Sequence, residues 1–138
     1  MRPRLTHITL RGFKTIQDLP NFELGDLTVL IGPNGAGKSN FISFFRMLSW
    51  ALAAPGRLQL YVAEQGDANA LLHQGASVTR EIEAVLTLGT GTGANEYAFR
   101  LAHAAADTLI FAEESFHYRR KDDCRPPKVR APAIENRD

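Results

Sequence analysis

The chain has 138 residues, 44% of them hydrophobic and 22% charged, with a net charge of +1 at neutral pH. That length fits one ordinary domain with a real core, and the near-neutral balance supplies no global field that would draw in nucleic acid or an anionic membrane. A lone cysteine, Cys124, rules out a disulfide within the chain, no run approaches 18 apolar residues, and the basic start lacks a cleavable leader pattern, so a soluble cytoplasmic protein without membrane contact is expected.

Ile8 and Leu10 alternate with Thr9 and Arg11, which predicts a short strand ending at Gly12. Pro20, Asn21 and Gly25 are turn residues around a possible short second strand at Phe22 to Leu24. The run "LTVLI", Leu27 to Ile31, has no polar alternation except Thr28. It has the pattern of a strand buried on both faces, as in a parallel sheet flanked by helices. From Lys38 a helix is predicted, because Phe41, Phe45, Leu48 and Leu52 fall at i, i+4, i+7 and i+11. Pro55-Gly56 ends it.

Arg57 to Val78 has no clear period, although "NALLHQG" suits a short helix stopped at Gly75. Beyond it Ile82, Ala84, Leu86 and Leu88 alternate with Glu81, Glu83, Val85 and Thr87. "GTGTGAN" (Gly89 to Asn95) makes a turn, after which Tyr97, Phe99 and Leu101 take up the same period. That is a β-hairpin with one wet face, and "TLIFAEESFHYR" adds a third strand. From Lys121 to Asp138 charges and prolines crowd together and apolar residues thin out, which predicts a disordered tail.

The chemistry is concentrated between the apolar run and the helix. Gly32-Pro33-Asn34-Gly35-Ala36-Gly37-Lys38-Ser39 fits G-x-x-x-x-G-K-[ST], the P-loop. Glycines permit positive φ and a close approach of backbone to ligand, so that successive N–H groups turn toward phosphate oxygens. The helix that follows begins with unpaired N–H groups and a positive dipole end. Lys38 is placed to reach β- and γ-phosphates, and the Ser39 hydroxyl to ligate Mg²⁺. "GTGTG" lacks the dinucleotide-binding spacing and lies between strands, so it is assigned to the hairpin turn.

"ITLRGFKTIQDL" followed by "FELGDLTVLIGPNGAGKSNFISFFRML" resembles the amino-terminal start of ABC-type ATPases of the SMC and RecF kind, and more narrowly the AAA-family predicted ATPases that share that head. Phe13-Lys14-Thr15 and the loop through Asn40 carry the likeness; Asn34 and Asn40 are its discriminating letters. The resemblance implies an α/β fold: a P-loop NTPase half-domain of the ABC-ATPase head type, with a parallel core over about residues 1–56 and an antiparallel β-lobe over about 78–119. It also implies ATP and Mg²⁺ as cofactors, contacts from Gly32 to Asn40, and a second ATPase head or a complementing C-terminal half as partner. DNA as a partner follows from the resemblance alone. Gln65 and Gln74 are candidates for the family's glutamine loop, and Arg11 and Lys14 lie where similar heads contact nucleotide; for the two basic residues, exposed positions on an edge strand are the plainer alternative.

ATP cleavage needs more: a carboxylate on Mg²⁺, a group that positions water and, in this family, a signature loop from a second head. "TLIFAEE" imitates a Walker B strand, but Glu113 stands where Asp is expected and Ala112 interrupts the apolar run. Glu113 and Glu114 are better assigned as solvent carboxylates at a strand edge. No "L-S-x-G" precedes them, "LSWA" at Leu48 to Ala51 lies directly after the P-loop, and His73, His103 and His117 match no switch position. The expectation is therefore an ATP-binding portion with no catalytic residue of its own, its close resembling a truncation or a frame-shifted end. A non-enzymatic ATP-binding or interaction module is the alternative. A small P-loop phosphotransferase is a third, since Arg119, Arg120 and Arg125 cluster.

Overall fold

The structure is a computed structural model and describes residues 2–32 and 37–121. Its frame is a five-stranded sheet with spatial order β2-β1-β3-β4-β5, every pairing antiparallel. The strands are β1 (Arg4–Phe13), β2 (Ile16–Glu23), β3 (Glu81–Gly89), β4 (Gly93–Ala104) and β5 (Thr108–Arg120). Three helices, α1 (Lys38–Ala53), α2 (Arg57–Glu64) and α3 (Asp67–Leu71), intervene between β2 and β3.

The period of two decides which sheet face is dry. Ile8 and Leu10 of β1, Ile82, Ala84 and Leu86 of β3, and Tyr97, Phe99 and Leu101 of β4 are buried on one face. The helices cover that face with Phe44 and Met47 from α1, Leu58, Tyr61 and Val62 from α2, and Ala68 and Leu71 from α3. The result is a two-layer α/β arrangement: an antiparallel sheet with helices on one side. On the opposite face Arg11 pairs with Asp18 (2.8 Å) and Glu83 (3.7 Å), Arg100 with Glu81 (2.7 Å) and Glu113 (3.5 Å), and Arg119 with Glu96 (3.0 Å). At such exposure each pair contributes about 0–1 kcal/mol.

Several expectations are corrected. Leu27 to Ile31 is not a buried strand: the segment belongs to no strand, and Leu27, Val29 and Ile31 are 84%, 68% and 90% exposed. A strand buried on both faces needs a ladder neighbour on either side, and no described strand lies beside this segment. The parallel core is likewise absent among the described residues. The second strand starts at Ile16, not Phe22, and runs through Pro20 and Asn21. Arg57 to Val78, which shows no clear period, holds two helices. The predicted tail beyond Lys121 lies outside the described residues.

The hairpin and third strand agree with the period. A three-residue loop at Thr90–Thr92 joins β3 to β4, closed by Thr90 N–H donating to the Gly93 carbonyl at 2.8 Å. The β4–β5 loop is held from the helix side. The Asp107 carboxylate accepts from His103 Nε2 (2.7 Å) and from the Asn69 N–H (3.2 Å), while the Asp107 carbonyl accepts from the Ala68 N–H (2.8 Å).

Tyr97 gives the fold a pH-dependent contact. Its hydroxyl donates to Glu114 Oε1 at 2.6 Å. Burial, and then the hydrogen bond and negative charge of Glu114, push the phenol far above its ordinary value of 10.0. A folded-state value raised above the unfolded one gives stability that is complete below about pH 10 and lost as pH rises toward the folded value. Urea unfolding followed from pH 8 to 12 is therefore expected to show falling stability above pH 10, and Tyr97→Phe is expected to flatten that fall. At pH 8 the same substitution should cost about 1 kcal/mol, one hydrogen bond.

Candidate functional site: the start of the first long helix

Helix α1 opens directly after Gly37, which adopts φ 96°, with no side-chain cap and no acidic residue in its first turn. Its first intrahelical bond runs from the Phe41 N–H to the Gly37 carbonyl at 2.9 Å. The N–H groups of Lys38, Ser39 and Asn40 thus have no carbonyl four residues back inside the helix, and the first turn sets no acidic side chain against the positive dipole end. A phosphate group suits such an end. Lys38 Nζ donates to the Gly32 carbonyl at 2.5 Å. An ammonium is therefore held at the Gly32 carbonyl. Ser39 is exposed, its carbonyl accepting from Ser43 Oγ at 2.8 Å.

The β1–β2 turn buttresses this end. A Cβ on Gly37 would lie 3.3 Å from Thr15 Oγ1 and 3.6 Å from Ile16 Cγ1, so the left-handed backbone and the tight neighbour both call for glycine. Asn40 Nδ2 donates to Thr15 Oγ1 at 2.6 Å, tying the helix to the turn. Lys14, with φ 48°, is fixed through its main chain: its N–H donates to the Leu71 carbonyl (2.7 Å) and its carbonyl accepts from His73 Nδ1 (2.7 Å). A carbonyl only accepts, so His73 carries its hydrogen on Nδ1. The Lys14 ammonium lies 5.7 Å from the Phe13 ring centre. Burial, and secondarily the Arg46 charge, lower its pKa from the ordinary value.

Of the predicted site residues, Gly32, Gly37, Lys38, Ser39 and Asn40 are described and come together at the α1 start. Pro33, Asn34, Gly35 and Ala36 lie outside the described residues. Gln65 is the exposed C-cap of α2, its N–H shared between the Tyr61 and Val62 carbonyls, and Gln74 is exposed at φ 56° in the turn after α3. Arg11 does not sit on an edge strand: β1 lies inside the sheet, and the guanidinium is engaged by Asp18 and Glu83. Glu113 and Glu114 do lie exposed on the edge strand β5, where Arg100 and Tyr97 engage them. Sequence reasoning missed the Thr15–Asn40 and Lys14–His73 contacts, which join residues 25 and 59 positions apart and leave no local signature.

Among the described residues no group of three or more His, Cys, Asp or Glu side chains is placed to hold a metal ion, and no helix is long and apolar enough to cross a membrane.

Three curated relatives share part of the sequence. The chromosome partition protein Smc of Desulfitobacterium hafniense (strain Y51) is 37% identical over 79 residues, which is 56% of this chain and 6% of the relative. That of Burkholderia pseudomallei (strain 1710b) is 46% identical over 50 residues, 36% of this chain and 4% of its own length. That of Rhodopirellula baltica is 34% identical over 64 residues, 46% of this chain and 5% of the relative. The chain thus spans only a small fraction of these proteins. Residues 27–135, which take in the whole loop, α1 and the three-stranded meander, match the family described as "AAA domain, putative AbiEii toxin, Type IV TA system", and the chain belongs to that family.

Proposed function

We propose that the chain binds ATP–Mg²⁺ at the start of α1 and is the nucleotide-gripping portion of an SMC/RecF-like ATPase. Membership in an AAA-domain family and kinship with Smc proteins give it a nucleotide-binding, ATPase-type character. The finer reading assigns the phosphates to Gly32, Pro33, Asn34, Gly35, Ala36, Gly37, Lys38, Ser39 and Asn40, and Mg²⁺ to Ser39. One observation carries it: a helix start with no side-chain cap and no acidic residue in its first turn, with the Lys38 ammonium held at the Gly32 carbonyl. In this arrangement the amides and Lys38 bind and orient the triphosphate, and the bound metal supplies charge neutralisation at its oxygens.

Hydrolysis in this reading is completed by groups from a second head or a complementing C-terminal half. The exposed Leu27, Val29 and Ile31 favour such a partner, since a cluster of exposed apolar side chains gains by being covered. The carboxylates of β5 take no part, being engaged with β4 on an antiparallel edge strand. A cytoplasmic location and contact with DNA belong to the same proposal, the latter through relatives named for chromosome partition.

The test is a thermal shift and a calorimetric titration with ATP–Mg²⁺. Ligand at 100 times its Kd adds about 2.7 kcal/mol, which for a domain of this size raises Tm by roughly 10 °C. Lys38→Ala is expected to abolish both the shift and the heat. Unchanged affinity in that variant would overturn the assignment.

A further inference from the structure

β5 is the outermost strand on its side of the sheet, and none of the described residues adds a strand beyond it. The Lys121 N–H donates to the Thr92 carbonyl at 3.1 Å, which fixes the phase of the β4–β5 ladder. In an antiparallel ladder alternate residues point their main-chain groups to opposite sides. Ser115, His117 and Arg119 therefore turn N–H and C=O toward β4. Glu114, Phe116, Tyr118 and Arg120 turn theirs outward.

The same four residues share the helix-side face, because Glu114 pairs with Phe99 and Phe116 with Tyr97. Phe116 is stacked on Tyr97 at 4.5 Å, yet remains 75% exposed, and Tyr118 is 46% exposed. Arg120 is exposed and has no carboxylate partner among the described residues. The outward stretch thus runs from an anion, through two aromatic rings, to a cation.

We propose that β5 pairs antiparallel with β5 of a second copy of this chain, about a two-fold axis at His117. Antiparallel pairing about residue 117 sets Glu114 opposite the partner's Arg120 and Phe116 opposite the partner's Tyr118, and the symmetry repeats both pairs. Residues directly opposite share a face, so each pairing brings charge to opposite charge or ring to ring. Each pair also exchanges both main-chain bonds, since these four residues present their N–H and C=O groups outward. The register is selected. Moving the axis to Phe116 would set Glu114 opposite the partner's Tyr118 and Arg120 opposite the partner's Ala112, losing both ion pairs. Edge strands that avoid association carry repelling charges; here the charge order along the strand is complementary to its own reverse.

Sedimentation equilibrium of the full chain without nucleotide tests this independently of the ATP reading. The expected mass is twice the 15.2 kDa of one chain. Arg120→Glu sets like charges opposite each other at both ends and should weaken the dimer by ~10-fold or more at low salt. Adding Glu114→Arg should restore it. Hydrogen exchange gives a second reading that does not depend on the double variant: the amides of Glu114, Phe116, Tyr118 and Arg120 should be protected in the dimer and exchange faster in Arg120→Glu. A monomeric wild type, a dimer undiminished by Arg120→Glu, or unprotected amides at these positions would each overturn the proposal.

Discussion

Phe44→Ala is expected to destabilise the domain by about 3–5 kcal/mol, a large share of the 5–15 kcal/mol typical of a whole domain. Phe44 is fully buried where helix layer and sheet meet. It lies edge-on to Phe13 at 5.8 Å and to Phe45 at 5.5 Å, and stacks on Phe99 at 6.2 Å with only 7° between the planes. Truncation removes the ring's transfer energy and leaves a cavity walled by three other rings, Phe45 on α1 itself, Phe13 at the end of β1 and Phe99 on β4. Those walls cannot close together, so the cavity cost is retained. Phe44→Leu should cost distinctly less, about 1–2 kcal/mol, because most of the volume is kept. Urea denaturation of nucleotide-free protein, with the slope checked for constancy, measures both.

Gly12→Ala is expected to cost about 3 kcal/mol, although it adds a single methyl group. Gly12 has φ +76°, where an L side chain is strained by roughly 1–2 kcal/mol. A Cβ there would also fall 2.4 Å from the Glu81 carbonyl oxygen and 3.0 Å from Thr79 Cγ2. Glu81 is the first residue of β3 and is paired with Ala102 on its far side, so its carbonyl cannot retreat without breaking the ladder. The Gly12 carbonyl in turn accepts from the His73 N–H at 3.0 Å, and a shift of β1 would pull on the segment after α3. The same urea measurement applies. A loss below ~1 kcal/mol would mean that β1 and β3 slide apart more easily than their pairing suggests.

The elements legible in the sequence were those whose pattern is local. The alternation of Ile82 to Leu88 and of Tyr97 to Leu101 needs no knowledge of neighbours, nor does the spacing of Phe41, Phe45 and Leu48 on α1. Leu58, Tyr61 and Val62 carry a helical spacing too, but over only eight residues of α2, too short a span to stand out beside mixed polar positions. Leu27 to Ile31 failed for a different reason. Its composition suits a buried strand, yet a strand exists only through its neighbours, and none of the described ones lies beside it. At β2, Pro20 and Asn21 suggested a turn, but β2 is an edge strand, which tolerates a residue without an N–H. Asn21, at φ 42°, instead donates its N–H to Thr9 Oγ1 at 2.9 Å, beside an irregularity in the β1–β2 register.

The candidate site divides in the same way. The glycine spacing, Lys38 and Ser39 are contiguous and legible from eight letters, because a phosphate cradle is made from one loop and one helix start. The buttress is not. Thr15 meets Asn40 only because the β1–β2 turn lies against the α1 start, and Arg11 is withdrawn from any ligand because β3 arrives beside it bearing Glu83.

The open face of the sheet has an electrical character that follows from its pairings. Three arginines (Arg11, Arg100, Arg119) are met there by five carboxylates (Asp18, Glu81, Glu83, Glu96, Glu113), a surplus of two negative charges on these networks. Polyphosphate chains bind proteins by trading condensed counterions for lysine and arginine, and each arginine of these networks is already met by a carboxylate. A duplex laid against these networks would meet that surplus as repulsion.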